Sequence, residues 1–167
     1  MQVRAASDAD VDEIIRLKAL IMTTSYPFEV DLASRPDWAP RARAVITEMM
    51  ADDHHAFFVV DAPGGGLAGC VSASVTLSVP GLDWGPWHAS VGDMCTDEPH
   101  RGQGIGRALM DAVLDWCRAK GAHTVRVQST PGAITVYERL GFQRRDEELF
   151  PTLRLTLGAP SPPAPRR

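Results

Sequence analysis

"DEPHRGQGIGRALMDAVLDW", Asp97 to Trp116, places Gly102, Gly104 and Gly106 within five residues at the mouth of an apolar-periodic run. Glycine in a helix interior costs about 0.5–1 kcal/mol relative to alanine, so three together ask for a use. A strand, a glycine-rich turn and a helix in that order make an anion site. The glycines let the backbone approach a phosphate, and the helix N-terminus offers unbonded N–H groups with a partial positive charge. The spacing excludes two nucleotide motifs. No Lys-Ser or Lys-Thr follows the glycines as a P-loop requires, and G-x-G-x-G is not the dinucleotide pattern G-x-G-x-x-G.

Beyond the loop, Leu109, Ala112, Val113, Trp116 and Cys117 mark one helical face, and Gly121 stands where a helix-ending glycine belongs. "HTVRVQS" (123–129) reads as a strand. Thr130-Pro131 supplies an N-cap and a first-turn proline for a helix ending near Gly141. "LFPTLRLTL" (149–157) alternates as a last strand.

Ahead of the loop, "ASVGDMCT" (89–96) is a strand, and "SVPGLDWGPWH" (78–88) is loop-like. "AFFVVDA" (56–62) and "LAGCVSASVTL" (67–77) flank the turn "PGGG" and read as an antiparallel hairpin. Ser7 with Asp10 starts an amphipathic helix over 8–20, with Val11, Ile14, Ile15 and Lys18 at helical spacing. A second helix is predicted over 41–51, with Ala44, Val45, Ile46 and Met49 for its buried face. The order αα, βββ, α, β, α, β predicts a mixed-sheet α/β fold.

The 167 residues, 44% hydrophobic, suit one domain over 1–157, with a proline-rich, disordered tail at 158–167. A net charge of −4 argues against a nucleic-acid partner, and no apolar run reaches the roughly 20 residues of a membrane span. Cys70, Cys95 and Cys117 are odd in number and lack C-x-x-C spacing. Neither a disulfide framework nor a metal site is expected, and a cytoplasmic setting fits.

Arg101 to Gly106 also reads R-x-x-G-x-G, and "AITVYERLGF" (133–142) follows one helix and one strand later. The two stretches in this order resemble the GNAT superfamily of N-acetyltransferases. That resemblance implies an α/β fold with a mixed, mostly antiparallel sheet of six or seven strands flanked by about four helices. It implies acetyl-CoA as cosubstrate. Met94, Cys95 and Thr96 would hold the pantetheine arm through the backbone, like an added strand. Backbone N–H groups of Arg101, Gly102, Gln103, Gly104, Ile105, Gly106 and Arg107 would hold the pyrophosphate. Tyr137 matches the family tyrosine that protonates the departing thiolate, and backbone N–H groups near Met94 would polarise the thioester carbonyl. Relatives often carry asparagine seven residues before that tyrosine, where it holds the pantetheine; here Thr130 stands in that cofactor-binding place, with one hydroxyl to offer.

For the general base Asp93 leads, with His88, Glu98 and His123 behind it. A structural or acceptor-binding carboxylate is the competing role for Asp93. Cys95, two residues from Asp93, is placed on the same strand face as a buried thiol rather than a nucleophile. His54-His55 reads as a loop pair. The acceptor pocket is expected from 22–40, 78–88 and the region of Glu147-Glu148. Aromatics (Tyr26, Phe28, Trp38, Trp84, Trp87) and acids (Glu29, Asp31, Asp37, Asp83) there would suit a cationic amine. A small-molecule amine leads as acceptor. A protein N-terminus or lysine, and a non-catalytic acyl-CoA-binding module, are the alternatives. Oligomeric state stays open, a homodimer included.

Overall fold

The computed structural model describes residues 1–25, 31–80 and 85–144. The chain divides after Ile134 into two units, Met1–Ile134 and Thr135–Arg167. The first holds a five-stranded sheet: β1 (Val3–Ala5), β2 (His55–Asp61), β3 (Leu67–Leu77), β4 (Trp87–Thr96) and β5 (Thr124–Val127). The strands lie in chain order; the first three pairings are antiparallel, and β4–β5 is parallel. Helices α1 (Val11–Ser25), α2 (Trp38–Met50) and α3 (Ile105–Ala119) complete the unit, and a short α4 (Ile134–Glu138) follows β5. The expected mixed, mostly antiparallel sheet is present, but with five strands among the described residues rather than six or seven. The strand predicted at 149–157 and the tail lie outside them.

The predicted helix over 8–20 runs longer, to Ser25, after a single 3-10 turn at Asp8–Asp10. The second starts at Trp38 rather than residue 41, and its face is a correction. Ala44 and Val45 are exposed, while Ile46 is buried and Trp38, Ala42, Met49 and Met50 pack with it. Four-residue steps from Trp38 through Ala42 and Ile46 to Met50, with Met49 beside them, give that stripe, and Ala44 and Val45 fall off it. On α3, Ile105, Leu109, Met110, Val113 and Cys117 are buried. Gly121, at φ +74°, ends α3: its N–H donates to Arg118 O and that of Ala122 to Cys117 O, at 2.9 Å each.

Cross-strand register assigns the faces. Phe57, Val59 and Cys70 pack with Val11, Ile14 and Leu17 of α1 and Ile46 of α2. On the opposite face a Cβ at Gly69 would come within 2.8 Å of Ile105 Cγ2, so α3 sits as close as glycine allows.

Arg4 ties the start of the chain together. Its guanidinium donates at 2.7 Å to both oxygens of buried Asp10 and also reaches Asp61. Asp10 accepts further bonds from the Ser7 N–H at 2.7 Å and the Ser7 hydroxyl at 2.9 Å, as the sequence-level cap suggested. The Arg4 hydrogen bonds hold the Asp10 carboxyl far below the usual range. A carboxyl lowered on folding adds stability that is complete above its unfolded value, about pH 4, and is lost as pH falls toward the folded one. Asp10→Asn therefore melts several degrees lower at neutral pH, from loss of about 1.5–3 kcal/mol of charge-assisted bonding. Its deficit shrinks as pH drops below about 4. Melting temperature measured against pH for both proteins checks this; parallel curves down to strong acid would refute it.

Candidate active site

Strand β4 breaks its own regularity. Cys70 pairs with Cys95 and Ser72 with Gly92, so Asp93 and Met94 together face the single residue Val71. This is a β-bulge with two residues opposite one. Asp93 takes φ +49°, the one left-handed non-glycine among the described residues, a conformation that Asp tolerates better than most. The bulge also shifts the side-chain phase. Gly92 and Cys95, three residues apart, both pair with residues on the α1 side of β3, which simple alternation forbids. Asp93 and Cys95 do share that side, through the bulge rather than through i, i+2 spacing.

The parallel register of β5 with β4 ends at Val91–Val127, just before the bulge. The loop that follows β4 is built for close approach. Gly102 and Gly104 have φ of +77° and +83°, and a Cβ on either would meet no atom within 4 Å. Gly104 is the N-cap of α3 and has no side chain with which to cap it. The first-turn amides of α3 thus keep their capacity for an anion. Around the loop, Arg101 Nε donates to Thr96 O at 3.3 Å, Gln103 Nε2 to Pro99 O at 3.3 Å, and Arg107 pairs with Asp111 at 3.0 Å. A diphosphate beside 101–107 fits this cradle, because no protein side chain fills the space that a Cβ at Gly102 or Gly104 would take.

Asp93 carries the partner that sequence reasoning missed. Lys18 of α1 forms an ion pair with Asp93 Oδ1, and Ser72 Oγ donates to Oδ2 at 3.4 Å. The carboxylate is about one-third exposed, with an ammonium already on one oxygen. The signal was present, since a lysine at helical spacing on an apolar stripe has to lead somewhere.

Burial raises the Cys95 thiol above its ordinary range, and burial raises Cys70 further. Neither is poised as a thiolate. The other candidate bases are engaged or remote: His88 Nδ1 shares a 2.9 Å bond with Thr124 Oγ1, Glu98 pairs with Arg101 at 3.5 Å, and His123 is exposed.

The second unit begins within α4. Tyr137 is buried, and its ring meets Phe142 edge-on at 5.7 Å. The "YERLGF" stretch makes that contact. The Gly141 N–H donates to Glu138 O at 3.0 Å, the Phe142 N–H donates to Tyr137 O at 3.1 Å, and Gly141 has φ +91°. This is a Schellman ending, whose apolar contact fixes the tyrosine ring. Burial raises the Tyr137 phenol above its ordinary value, so it stays protonated at neutral pH. Thr130 has extended backbone and no side-chain cap bond; its carbonyl accepts from the Ala133 N–H at 3.0 Å. The predicted helix to Gly141 is a 3-10 turn, Pro131–Ala133, followed by the short α4.

Of the expected aromatic and acidic acceptor wall, the four members among the described residues have partners of their own. Trp38 packs on the core, Asp31 accepts from the Ala33 and Ser34 N–H groups, and Asp37 pairs with Arg41. Trp87 stacks on His54 at 5.5 Å, and both His54 and His55 bond Asp52. Tyr26, Phe28, Glu29, Asp83, Trp84, Glu147 and Glu148 lie outside the described residues.

A bulged β4, a left-handed glycine loop and an uncapped α3 occur together, and the family model for acetyltransferases of the GNAT family matches residues 20–142. The chain belongs to the GNAT acetyltransferase family. It is an acyltransferase with N-acetyltransferase relatives. Glucosamine 6-phosphate N-acetyltransferase of Trypanosoma brucei brucei is 24% identical over 149 residues, covering 89% of this chain and 93% of that protein. N-acetyltransferase 8 of Rattus norvegicus is 31% identical over 113 residues, covering 66% of this chain. The chain spans only 50% of that relative's length. Among solved structures, a predicted acetyltransferase from Clostridium acetobutylicum, determined with acetyl-CoA, superposes with a TM-score of 0.76 at 15% identity, covering 93% and 96% of the two chains. That likeness establishes the GNAT fold. Among the described residues, no helix is long and apolar enough to cross a membrane.

Proposed function

We propose that this GNAT chain moves the acetyl group of acetyl-CoA directly to the primary amine of a small molecule. The observation that carries this reading is the bulge at Asp93 and Met94, set where β5 stops pairing and directly before an uncapped glycine loop. Acetyl-CoA supplies the activated acetyl thioester. The backbone of Met94, Cys95 and Thr96 binds the pantetheine arm, and the amides from Arg101 to Arg107 bind the pyrophosphate. Amides at the bulge polarise the thioester carbonyl. Tyr137 donates a proton to the departing thiolate, and Asp93 receives the proton that the amine gives up. Thr130 lends at most a hydroxyl. The raised Cys95 thiol supports direct transfer over a cysteine-linked intermediate. A relative named for an amino-sugar phosphate, matched over nearly its whole length, supports a small acceptor. The buried free thiols suit a reducing, cytoplasmic setting.

The test is thiol release from acetyl-CoA against a panel of amines. Release that depends on an amine supports the reading, whereas tight acetyl-CoA binding without release leaves a non-catalytic binding module instead. Asp93→Asn then assigns the carboxylate. As the base, its loss lowers kcat/KM at neutral pH by about 10²–10⁴-fold, with partial recovery at high pH where free amine is abundant. As a mere anchor for the ammonium, its loss raises KM wherever the acceptor is charged and leaves kcat alone. A profile that overlays the wild type dismisses both roles.

A further inference from the structure

On the α1 side of the sheet, the register runs from Asp93 into two polar rows. The nearer joins Ser74, Ser90 and Arg126, and the farther joins Thr76, His88 and Thr124. Residues paired directly across strands point to the same face, and the His88–Thr124 bond at 2.9 Å confirms it for the farther row. Between Asp93 and the nearer row stands Gly92, which puts no side chain there; a Cβ would come within 3.2 Å of Ser72 Oγ. Four members of these rows, Thr76, His88, Ser90 and Arg126, line a groove of about 420 Å³ together with Ser78, Val79 and Ala89.

The groove's charge is the opposite of what a simple cation would want. Among the described residues its lining holds a guanidinium, an imidazole and hydroxyls, and no carboxylate. Several other described arginines are tied to acids, among them Arg16 to Glu13 and Asp97, and Arg107 to Asp111. Arg126 is exposed and pairs with no acid among the described residues. Three residues along β4 from Ser90, Asp93 is already paired with Lys18.

Resting on the acetyltransferase reading, we propose that the acceptor is an amine with an anionic group, a phosphate or a carboxylate, bound by Arg126 while the amine lies at Asp93. Three residues of strand separate the two positions along β4, about 10 Å, with one strand spacing of about 4.8 Å across. An arginine side chain is long enough to cover part of such a span. One sugar ring or a short carbon chain fills the rest, and the Ser90, Ser74 and Thr76 hydroxyls suit a hydroxylated one.

Matched acceptors test this by thiol release: 3-aminopropyl phosphate against 3-aminopropanol, and 5-aminopentanoate against 5-aminopentanamide. The reading is the ratio of kcat/KM for the anionic member to that for the neutral one. In the wild type at least one pair gives a ratio of about ten to a hundred, as expected for one charge-assisted contact, and that pair identifies phosphate or carboxylate. Arg126→Gln brings the ratio toward one, and Arg126→Lys retains most of it. Ratios near one in the wild type, with the neutral amines acetylated, overturn the anion site and leave the acetyltransferase reading standing. A ratio that Arg126→Gln leaves unchanged overturns it equally. No release with any amine overturns the acetyltransferase reading itself, and the inference with it.

Discussion

Gly104→Asn folds with nearly wild-type stability and binds acetyl-CoA about a hundredfold more weakly. The choice of asparagine matters. At φ +83° a valine or alanine would strain the backbone with or without any ligand, by about 1–2 kcal/mol. A loss of binding by such a variant would confuse a damaged turn with a blocked site. Asparagine enters the left-handed region readily, and a Cβ at Gly104 meets no protein atom within 4 Å. The fold therefore has no reason of its own to reject it. What the new side chain obstructs is the space over the first-turn amides of α3. Each charge-assisted bond from those amides to a phosphate contributes about 1.5–3 kcal/mol, and losing one or two gives the stated factor. Calorimetric titration with acetyl-CoA, beside a melting curve, separates the effects. Wild-type affinity in a folded Gly104→Asn would mean that the glycine serves only the turn.

The elements most legible in the sequence were those whose pattern is local. The 67–77 strand, the loop after 96 and the end of α3 at Gly121 follow from β-rich runs and glycine chemistry within a few residues. The bulge was not legible. It exists because β3 and β4 pair out of step by one residue, a relation between positions some twenty residues apart. The sequence offers only Gly-Asp, a pair that permits a left-handed residue without demanding one. The Lys18–Asp93 ion pair spans 75 residues and depends on where α1 crosses the sheet. Two residues expected in the acceptor wall were misplaced for a related reason. Trp38 and Asp37 look available in a segment read as irregular, but α2 starts there and takes the tryptophan into the core. Arg126 had no motif around it. Its neighbours across the sheet, not along the chain, make it a candidate anion ligand.

Tyr137→Phe lowers kcat by about 10²–10⁴-fold and leaves the dissociation constant of acetyl-CoA within about twofold. The substitution keeps the ring and so keeps the edge contact with Phe142 at 5.7 Å that closes the Schellman ending. Only the hydroxyl goes, and with it the proton we propose for the departing thiolate. The pH dependence sharpens the test. Burial holds the phenol above its ordinary value near 10. A group raised in this way keeps its proton throughout the neutral and mildly alkaline range. Wild-type kcat should therefore show no alkaline loss below about pH 10 that belongs to this residue. The ratio of wild-type to Tyr137→Phe rates should stay constant from about pH 6 to 9 and narrow only where the phenol ionises. If the ratio instead changes across neutrality, another group controls the proton. If the variant turns over at the wild-type rate with a reactive amine, the tyrosine packs against Phe142 and donates nothing.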